Sequence, residues 1–101
     1  MSTADKDVSA QVLRALAMLE TLAGELPNGL ANKELAAAMD VPASYVTRTA
    51  DVLIAKGWVE RTEAGRFRIT SRFAQISVRS LRAFERAEQQ LGDMKRNYLL
   101  G

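Results

Sequence analysis

The sequence predicts a mainly α-helical protein with one small β-hairpin and a long C-terminal helix. Three observations support this prediction. Apolar residues recur at helical spacing in the stretches before residue 57, an alternation of period two follows over residues 58–70, and residues 71–100 return to helical spacing without a proline.

The first helix is predicted over roughly residues 8–24, where apolar side chains follow steps of three and four residues. This stripe consists of Val12, Leu16, Leu19, Ala23 and Leu26. Asp7 or Ser9 can cap the start of the helix. The stretch "GELPNGL" then contains a proline and two glycines, which is the composition of a loop.

Two further helices follow this loop. The stretch "NKELAAAMD" predicts a short helix with Asn32 as its N-cap and Glu34 in its first turn. Pro42 interrupts the pattern and opens a third helix over residues 43–56, which Gly57 ends. The buried stripe of the third helix is predicted to be Val46, Ala50, Leu53 and Ile54. Two short helices joined by a tight turn indicate a helix-turn-helix.

A β-hairpin is predicted in "GWVERTEAGRFRIT", with strands over residues 58–62 and 66–70 joined by a glycine-containing turn. Because side chains alternate along a strand, Phe67 and Ile69 should face the core. The arginines left on the outer face and tip are Arg61, Arg66 and Arg68. The hairpin is therefore predicted to be the wing of a winged helix-turn-helix.

The tail is predicted to form one helix from about residue 72 to residue 98, because its apolar residues fall at steps of three and four. These residues are Leu81, Phe84, Ala87, Leu91, Met94 and Tyr98. Such a stripe needs a partner, and we expect the tail to pair with that of a second copy in a homodimer. The alternative is a helix that bends near Ser77 or Gly92 and folds back on its own domain.

The composition argues against an enzyme. The chain has no cysteine and no histidine, which removes disulfides, thiolate metal sites, the commonest zinc ligand and the usual general base. Because no acidic cluster or glycine-rich phosphate loop replaces them, we expect no catalysis, no metal and no cofactor. No apolar run approaches the roughly 20 residues of a membrane-spanning helix, and the start of the chain lacks the pattern of a secretory signal. We therefore expect a soluble, cytoplasmic protein.

Charge is distributed unevenly along the chain. Residues 1–42 carry a net charge of −3, residues 43–82 a net charge of +5, and residues 83–101 a net charge of zero. The third helix and the wing lie in the positive block, which suits a polyanion such as nucleic acid. The alternative is a solvated face without such a partner.

Four stretches together resemble the DNA-binding domain of IclR-type transcriptional regulators. They are "LRALAMLETLA", "NKELAAAMDVPASYVTR", "LIAKGWVER" and "GRFRITSRFAQIS", and they extend from Leu13 to about Ile76. Rrf2-type and MarR-type regulators share parts of this pattern. The chain departs from the IclR-type pattern at Ala31 in place of a capping Ser or Thr, at Asp40 in place of glycine, and at Ala43, a position that is often basic. It also has no stretch that resembles the ligand-binding domain of such regulators, so we expect no small-molecule effector.

The helix-turn-helix pattern and the resemblance together imply a small sequence-specific DNA-binding regulator, a repressor that binds double-stranded DNA as a homodimer. Residues 1–75 would form the DNA-binding domain, and residues 76–101 the dimerisation helix. The expected contacts of the recognition helix are Ala43, Ser44, Tyr45, Thr47 and Arg48, joined by the three wing arginines. Tyr45 could instead pack on the second helix, and Arg48 could pair with Asp51. The competing interpretation is a protein-interaction module, or an architectural DNA-binding module without sequence preference.

Overall fold

The computed structural model describes residues 3–101, with side chains described from residue 9 onward. Within that range the protein is mainly helical, with four helices and one two-stranded antiparallel hairpin. The elements in chain order are α1 (Thr3–Ala23), α2 (Asn32–Met39), α3 (Ala43–Lys56), β1 (Val59–Arg61), β2 (Phe67–Ile69) and α4 (Ser71–Leu100). This order confirms the predicted winged helix-turn-helix followed by a long C-terminal helix.

Helix α1 begins earlier than predicted, at Thr3. No glycine or proline occurs in residues 3–8, so nothing in the sequence stops the helix there. The predicted caps were therefore wrong, because Asp7 and Ser9 lie within α1; the side chain of Asp7 is outside the described residues. The helix ends at Ala23, next to Gly24, as predicted.

The side of α1 that faces the core matches the predicted stripe only at Leu19. Met18, Leu19 and Leu22 are buried, whereas Val12 and Leu16 are about half exposed. Two stripes on α1 share the spacing of three and four residues, so periodicity alone could not decide which one is buried. The stripe that does not face the core, which includes Val12 and Leu16, forms an apolar surface on the outside of α1.

The core lies between α1, α2, α3 and the hairpin. Its buried side chains are Met18, Leu19, Leu22, Leu35, Val46, Ala50, Leu53, Val59, Phe67 and Ile69. Among the residues whose side chains are described, no polar or charged side chain is buried. Apolar packing of these helices on the wing therefore holds the domain together.

The turn between α2 and α3 has the tight geometry of a helix-turn-helix. Ala31, and not Asn32 as predicted, is the N-cap of α2, and its N–H donates to Oε1 of Glu34 at 2.9 Å. Asp40 ends α2 in the left-handed conformation, with φ of 54°. Pro42 then precedes the first residue of α3.

The two strands of the wing are shorter than predicted. They pair over three residues each, in a register that places Val59 opposite Ile69. Thr70 leaves the strand because its hydroxyl accepts a hydrogen bond from the N–H of Phe73 at 3.2 Å and so caps α4. Phe67 and Ile69 face the core, as predicted.

Helix α4 is continuous over its whole length, so the alternative bends at Ser77 and Gly92 do not occur. Its first turn packs on the wing through Phe73, whose ring centre lies 5.6 Å from that of Trp58. From residue 75 onward almost every side chain of α4 is exposed. The predicted domain boundary between residues 75 and 76 falls inside this helix, where it leaves the rest of the domain.

Candidate nucleic-acid interface

The first two turns of α3 form the exposed side of the helix-turn-helix. Ala43, Ser44, Thr47 and Arg48 are exposed, and Tyr45 is partly buried. The buried stripe of this helix is made by Val46, Ala50 and Leu53. Helix α3 therefore presents hydroxyl, phenol and guanidinium groups on one side, and all of them can hydrogen bond to base edges or phosphates.

Tyr45 lies between two arginines. The guanidinium carbon of Arg14, from α1, is 4.5 Å from the centre of the Tyr45 ring, and that of Arg48 is 5.2 Å from it. A cation–π contact holds a guanidinium group while leaving its N–H donors free. Neither arginine forms an ion pair within residues 9–101, so the alternative pairing of Arg48 with Asp51 does not occur. The stack therefore sets two unpaired positive charges beside a phenol hydroxyl.

An open groove of about 260 Å³ runs between α1 and α3 beside this stack. Val12, Ala15 and Val52 line its apolar part, and Arg14 and Arg48 line its charged part. The accessible surface of the helix-turn-helix therefore continues from α3 onto α1.

Asn32 braces the start of α3. Its Nδ2 donates to Oγ1 of Thr47 at 2.9 Å and to the carbonyl oxygen of Ala43 at 3.3 Å. The Thr47 hydroxyl donates to the same carbonyl at 3.4 Å. Asn32 therefore links α2 to the first turn of α3, and it fixes the Thr47 side chain at the surface.

Two of the three wing arginines are bonded to carboxylates of their own domain. Arg66 forms an ion pair with Glu34 at 3.0 Å, and Arg68 forms one at 3.2 Å with Glu60, its neighbour across the hairpin. Each arginine also donates to a backbone carbonyl in the loop between α1 and α2. Because these charges and donors are used within the domain, Arg66 and Arg68 are less available to a phosphate than the sequence predicts.

Arg61 has a different environment. It lies directly opposite Phe67 in the hairpin register, so its side chain is on the same face as Phe67 and not on the predicted outer face. Its side chain is exposed, and its guanidinium carbon lies 4.6 Å from the centre of the Phe67 ring. In the part of the chain with described side chains, Arg61 forms no ion pair. The three wing arginines therefore differ in role. Arg61 is a candidate for DNA contact, whereas Arg66 and Arg68 hold the wing against the loop between α1 and α2.

Sequence reasoning missed the roles of Arg14 and Asn32. Arg14 lies 31 residues from Tyr45 along the chain, and no local pattern connects the two. The available signal was a lone arginine in the acidic segment before residue 43, on a helix that is otherwise apolar or neutral around it. The sequence position of Asn32 suits a cap, but its amide reaches forward to α3 instead.

Among the residues described, no group of three His, Cys, Asp or Glu side chains could hold a metal ion. Within residues 3–101, no helix combines the length and the apolar character that crossing a membrane requires.

The sequence model of the MarR family matches residues 6–66, from the first turns of α1 to the tip of the hairpin. The match supports a winged helix-turn-helix DNA-binding domain but not the IclR-type assignment that the sequence motifs suggested. No curated protein and no solved structure shows significant similarity to the chain. The exposed α3, its braced first turn and the short wing agree with this match, and the chain belongs to the MarR family of winged-helix transcriptional regulators.

Proposed function

We propose that this protein is a sequence-specific DNA-binding repressor that acts as a homodimer and reads duplex DNA with the first two turns of α3. The observation that carries the proposal is the stack of Arg14, Tyr45 and Arg48, which holds two guanidinium groups, unpaired within residues 9–101, at the exposed end of the recognition helix. Family membership supports the same conclusion, because regulators of this family bind DNA.

Helix α3 fits the major groove, which admits one α-helix. Its Ser44, Tyr45, Thr47 and Arg48 side chains are the proposed base and phosphate contacts, with Ala43 close to the backbone of the duplex. The brace from Asn32 supports this assignment because it orders the first turn before DNA binds, which lowers the entropic cost of binding. At the wing, Arg61 is the proposed phosphate or minor-groove contact, and Arg66 and Arg68 contribute by positioning the hairpin.

The proposed homodimer rests on apolar surface that one copy leaves uncovered. Five of the exposed apolar residues of α4 form a seam, which consists of Leu81, Phe84, Leu91, Met94 and Tyr98. Their steps of three, seven, three and four residues are those of helices that pair side by side. Exposed Val12, Leu13 and Leu16 on α1 add a second apolar surface. Two copies would place two recognition helices on related half-sites of one operator.

Repression is the simplest consequence of binding, since occupation of a promoter is enough to exclude another protein from it. The proposal includes a cytoplasmic location, in contact with the DNA that the protein regulates. A reporter gene under a promoter that contains the selected site tests the direction of regulation, and reduced expression supports repression.

The test of sequence reading is selection of binding sites from a random duplex pool by the full chain, followed by sequencing of the retained duplexes. The Tyr45→Ala, Arg48→Ala double variant is selected in parallel. The matched control is Arg96→Ala, which also removes an arginine but lies on α4 in an ion pair with Asp93. We expect a two-fold symmetric motif for the wild type and the control, and a weaker motif or none for the double variant.

Retention without a motif by the wild type contradicts sequence-specific reading and favours architectural binding. Retention of nothing favours the protein-interaction module. An unchanged motif with the double variant shows that Tyr45 and Arg48 do not read the sequence, whatever the wild type selects.

A further inference from the structure

Four arginines lie along one side of α4, away from its apolar seam. They are Arg72, Arg79, Arg82 and Arg86, and together they are called the basic face. Their steps of seven, three and four residues place them in one row on the helix surface. Within residues 9–101 none of them forms an ion pair, although Glu85 and Glu88 lie on the same helix. Arg96 of the same helix, by contrast, is bonded to Asp93.

The first turn of the basic face is fixed to the domain. The hydroxyl of Thr70 donates to the carbonyl of Gly57 at 2.6 Å, which ties the start of α4 to the end of α3. The guanidinium of Arg72 packs so closely on Gly57 that a Cβ atom there would lie 3.1 Å from its Nη1. Lys56 and Trp58 line the same cleft of about 440 Å³. The row of cations therefore begins at a turn that is hydrogen bonded to the end of α3, and it continues along the uninterrupted α4.

We infer that the basic face of α4, with Lys56, is a second surface for the phosphate backbone of duplex DNA. This inference rests on the proposed function in one respect, that the chain binds duplex DNA. It does not depend on which residues of α3 read the sequence. Helix α3 separates Lys56 from Ala43 by about 20 Å at 1.5 Å per residue, so the second surface contacts phosphates that the recognition turns do not reach.

The arrangement of charges favours a phosphate backbone over other anions. A single small anion requires cations that converge on one point, whereas Arg72 and Arg86 are separated by about 21 Å of helix. That length corresponds to about six base-pair steps of 3.4 Å. The same side of α4 also carries Gln75 and Gln89, which can donate hydrogen bonds to phosphate oxygens, and Asp93, one heptad after Arg86, ends the row of arginines.

The basic face and the apolar seam can be used at the same time. In the heptad pattern Phe84, Leu91 and Tyr98 occupy one core position, and Arg72, Arg79 and Arg86 occupy an outer position. Pairing of two tails through the seam therefore leaves the arginines exposed. Each copy in the dimer would then present its own basic face in addition to its own recognition helix.

The experiment measures duplex affinity and its salt dependence by fluorescence anisotropy with the full chain. It uses a short duplex of about 12 base pairs and a long one of about 40, so that only the long one extends under α4. The variants are Arg79→Ala with Arg82→Ala, and Arg79→Lys with Arg82→Lys, which keeps the charge. Arg96→Ala is the matched control. Circular dichroism confirms that each variant keeps its helix content.

We expect the double alanine variant to bind the long duplex about tenfold more weakly, with a salt slope reduced by about two. Its affinity for the short duplex should be unchanged, and the lysine variant and Arg96→Ala should behave as the wild type does. If the double alanine variant keeps the affinity and the slope of the wild type on the long duplex, the inference is wrong, and an acidic protein becomes the candidate partner of this face.

The same binding data separate this inference from the proposed function. Loss of sequence discrimination in the Tyr45→Ala, Arg48→Ala variant, with no effect of the α4 substitutions, supports the recognition helix and overturns only the second surface. The opposite result supports the second surface and overturns the reading role of α3. A wild type that binds neither duplex contradicts both.

Discussion

At the scale of single residues, the arginines of the domain differ in what surrounds their guanidinium groups. Arg48 stacks on Tyr45 and keeps its donors free, whereas Arg66 is held by Glu34 and by the carbonyl of Gly29. The first environment leaves the charge available to DNA, and the second uses it to fix the wing. Both residues are arginines in the positively charged segment of the sequence, so only their contacts in the folded domain distinguish them.

This difference predicts opposite effects of the two alanine substitutions. Arg66→Ala should lower the free energy of unfolding by about 1 kcal/mol, because it removes a hydrogen bond and a half-exposed ion pair. Arg48→Ala should leave stability within about 0.5 kcal/mol of the wild type while weakening DNA binding. Urea denaturation and duplex titration of both variants check the prediction. An Arg48→Ala variant that is the less stable of the two would contradict it.

A second prediction at this scale concerns Asn32. Asn32→Ala removes both hydrogen bonds to the first turn of α3, and we expect it to cost about 1 kcal/mol of stability and to reduce discrimination between duplex sequences. Asn32→Asp should fail in the same way, because an ionised carboxylate cannot donate to the Ala43 carbonyl. Lys33→Ala, at the exposed neighbouring position, is the stability control. Equal melting temperatures for Asn32→Ala and Lys33→Ala would show that the two hydrogen bonds of Asn32 do not stabilise the domain.

At the scale of elements, the wing depends on how closely the loop before α2 approaches strand β2. Leu30 forms an isolated antiparallel bridge with Phe67, so the loop adds a short third edge to the hairpin. Gly29, with φ of 71°, lies directly against the carbonyl of Phe67, and a Cβ atom there would collide with the backbone. The position of the wing therefore requires a glycine in this loop for both conformation and space.

The prediction at this scale compares three glycines. Gly29→Ala should destabilise the domain by about 2 kcal/mol or more, because it adds a backbone clash to an unfavourable φ. Gly65→Ala, at the tip of the wing with φ of 77° and open space around it, should cost about 1 kcal/mol from strain alone. Gly24→Ala has neither problem and should be close to neutral. Thermal unfolding of the three variants gives the order, and equal costs for Gly29→Ala and Gly65→Ala would rule out the close approach.

The elements were largely predictable because their signals are local. Gly57 and Pro42 bound α3, and the alternation of Phe67 and Ile69 gives the buried side of β2 correctly. Choices between equivalent local patterns were not predictable. The two stripes of α1 have the same spacing, and the contacts of Arg14 with Tyr45 depend on how α1 and α3 cross. The helix and the hairpin that carry the candidate site were therefore predictable, but the hydrogen bonds of Asn32, the stack on Tyr45 and the ion pairs of Arg66 and Arg68 were not.

At the scale of the whole molecule, the chain is far more extended than a compact domain of its size. Its radius of gyration is 19.4 Å, against about 13 Å for a compact domain of 100 residues. Helix α4 causes the difference because it extends away from the winged domain. Its side chains are therefore exposed, Phe84 by 66% and Tyr98 by 83%. Soluble monomers rarely expose an apolar row of this length, which supports a paired state.

The prediction at this scale is that the seam holds the dimer. Phe84→Glu with Leu91→Glu should convert a dimer to a monomer, because burial of two carboxylates opposes pairing. Gln89→Glu adds the same carboxylate on the other side of α4 and should leave the dimer intact. Light scattering of the full chain measures the mass of each variant. A dimer that survives the double substitution would have its interface elsewhere, and the exposed apolar residues of α1 would be tested next.

The length of the continuous α4 also bears on the distance between two winged domains in a dimer. Its 30 residues make a rod of about 45 Å that starts rigidly at the end of the wing. In an antiparallel pair of such rods, moving the register by one heptad changes the distance between the two winged domains by about 10 Å. That change corresponds to about three base pairs along the duplex. The side chains of the seam would therefore set the operator spacing that the protein accepts, without contacting the bases that the recognition helices read.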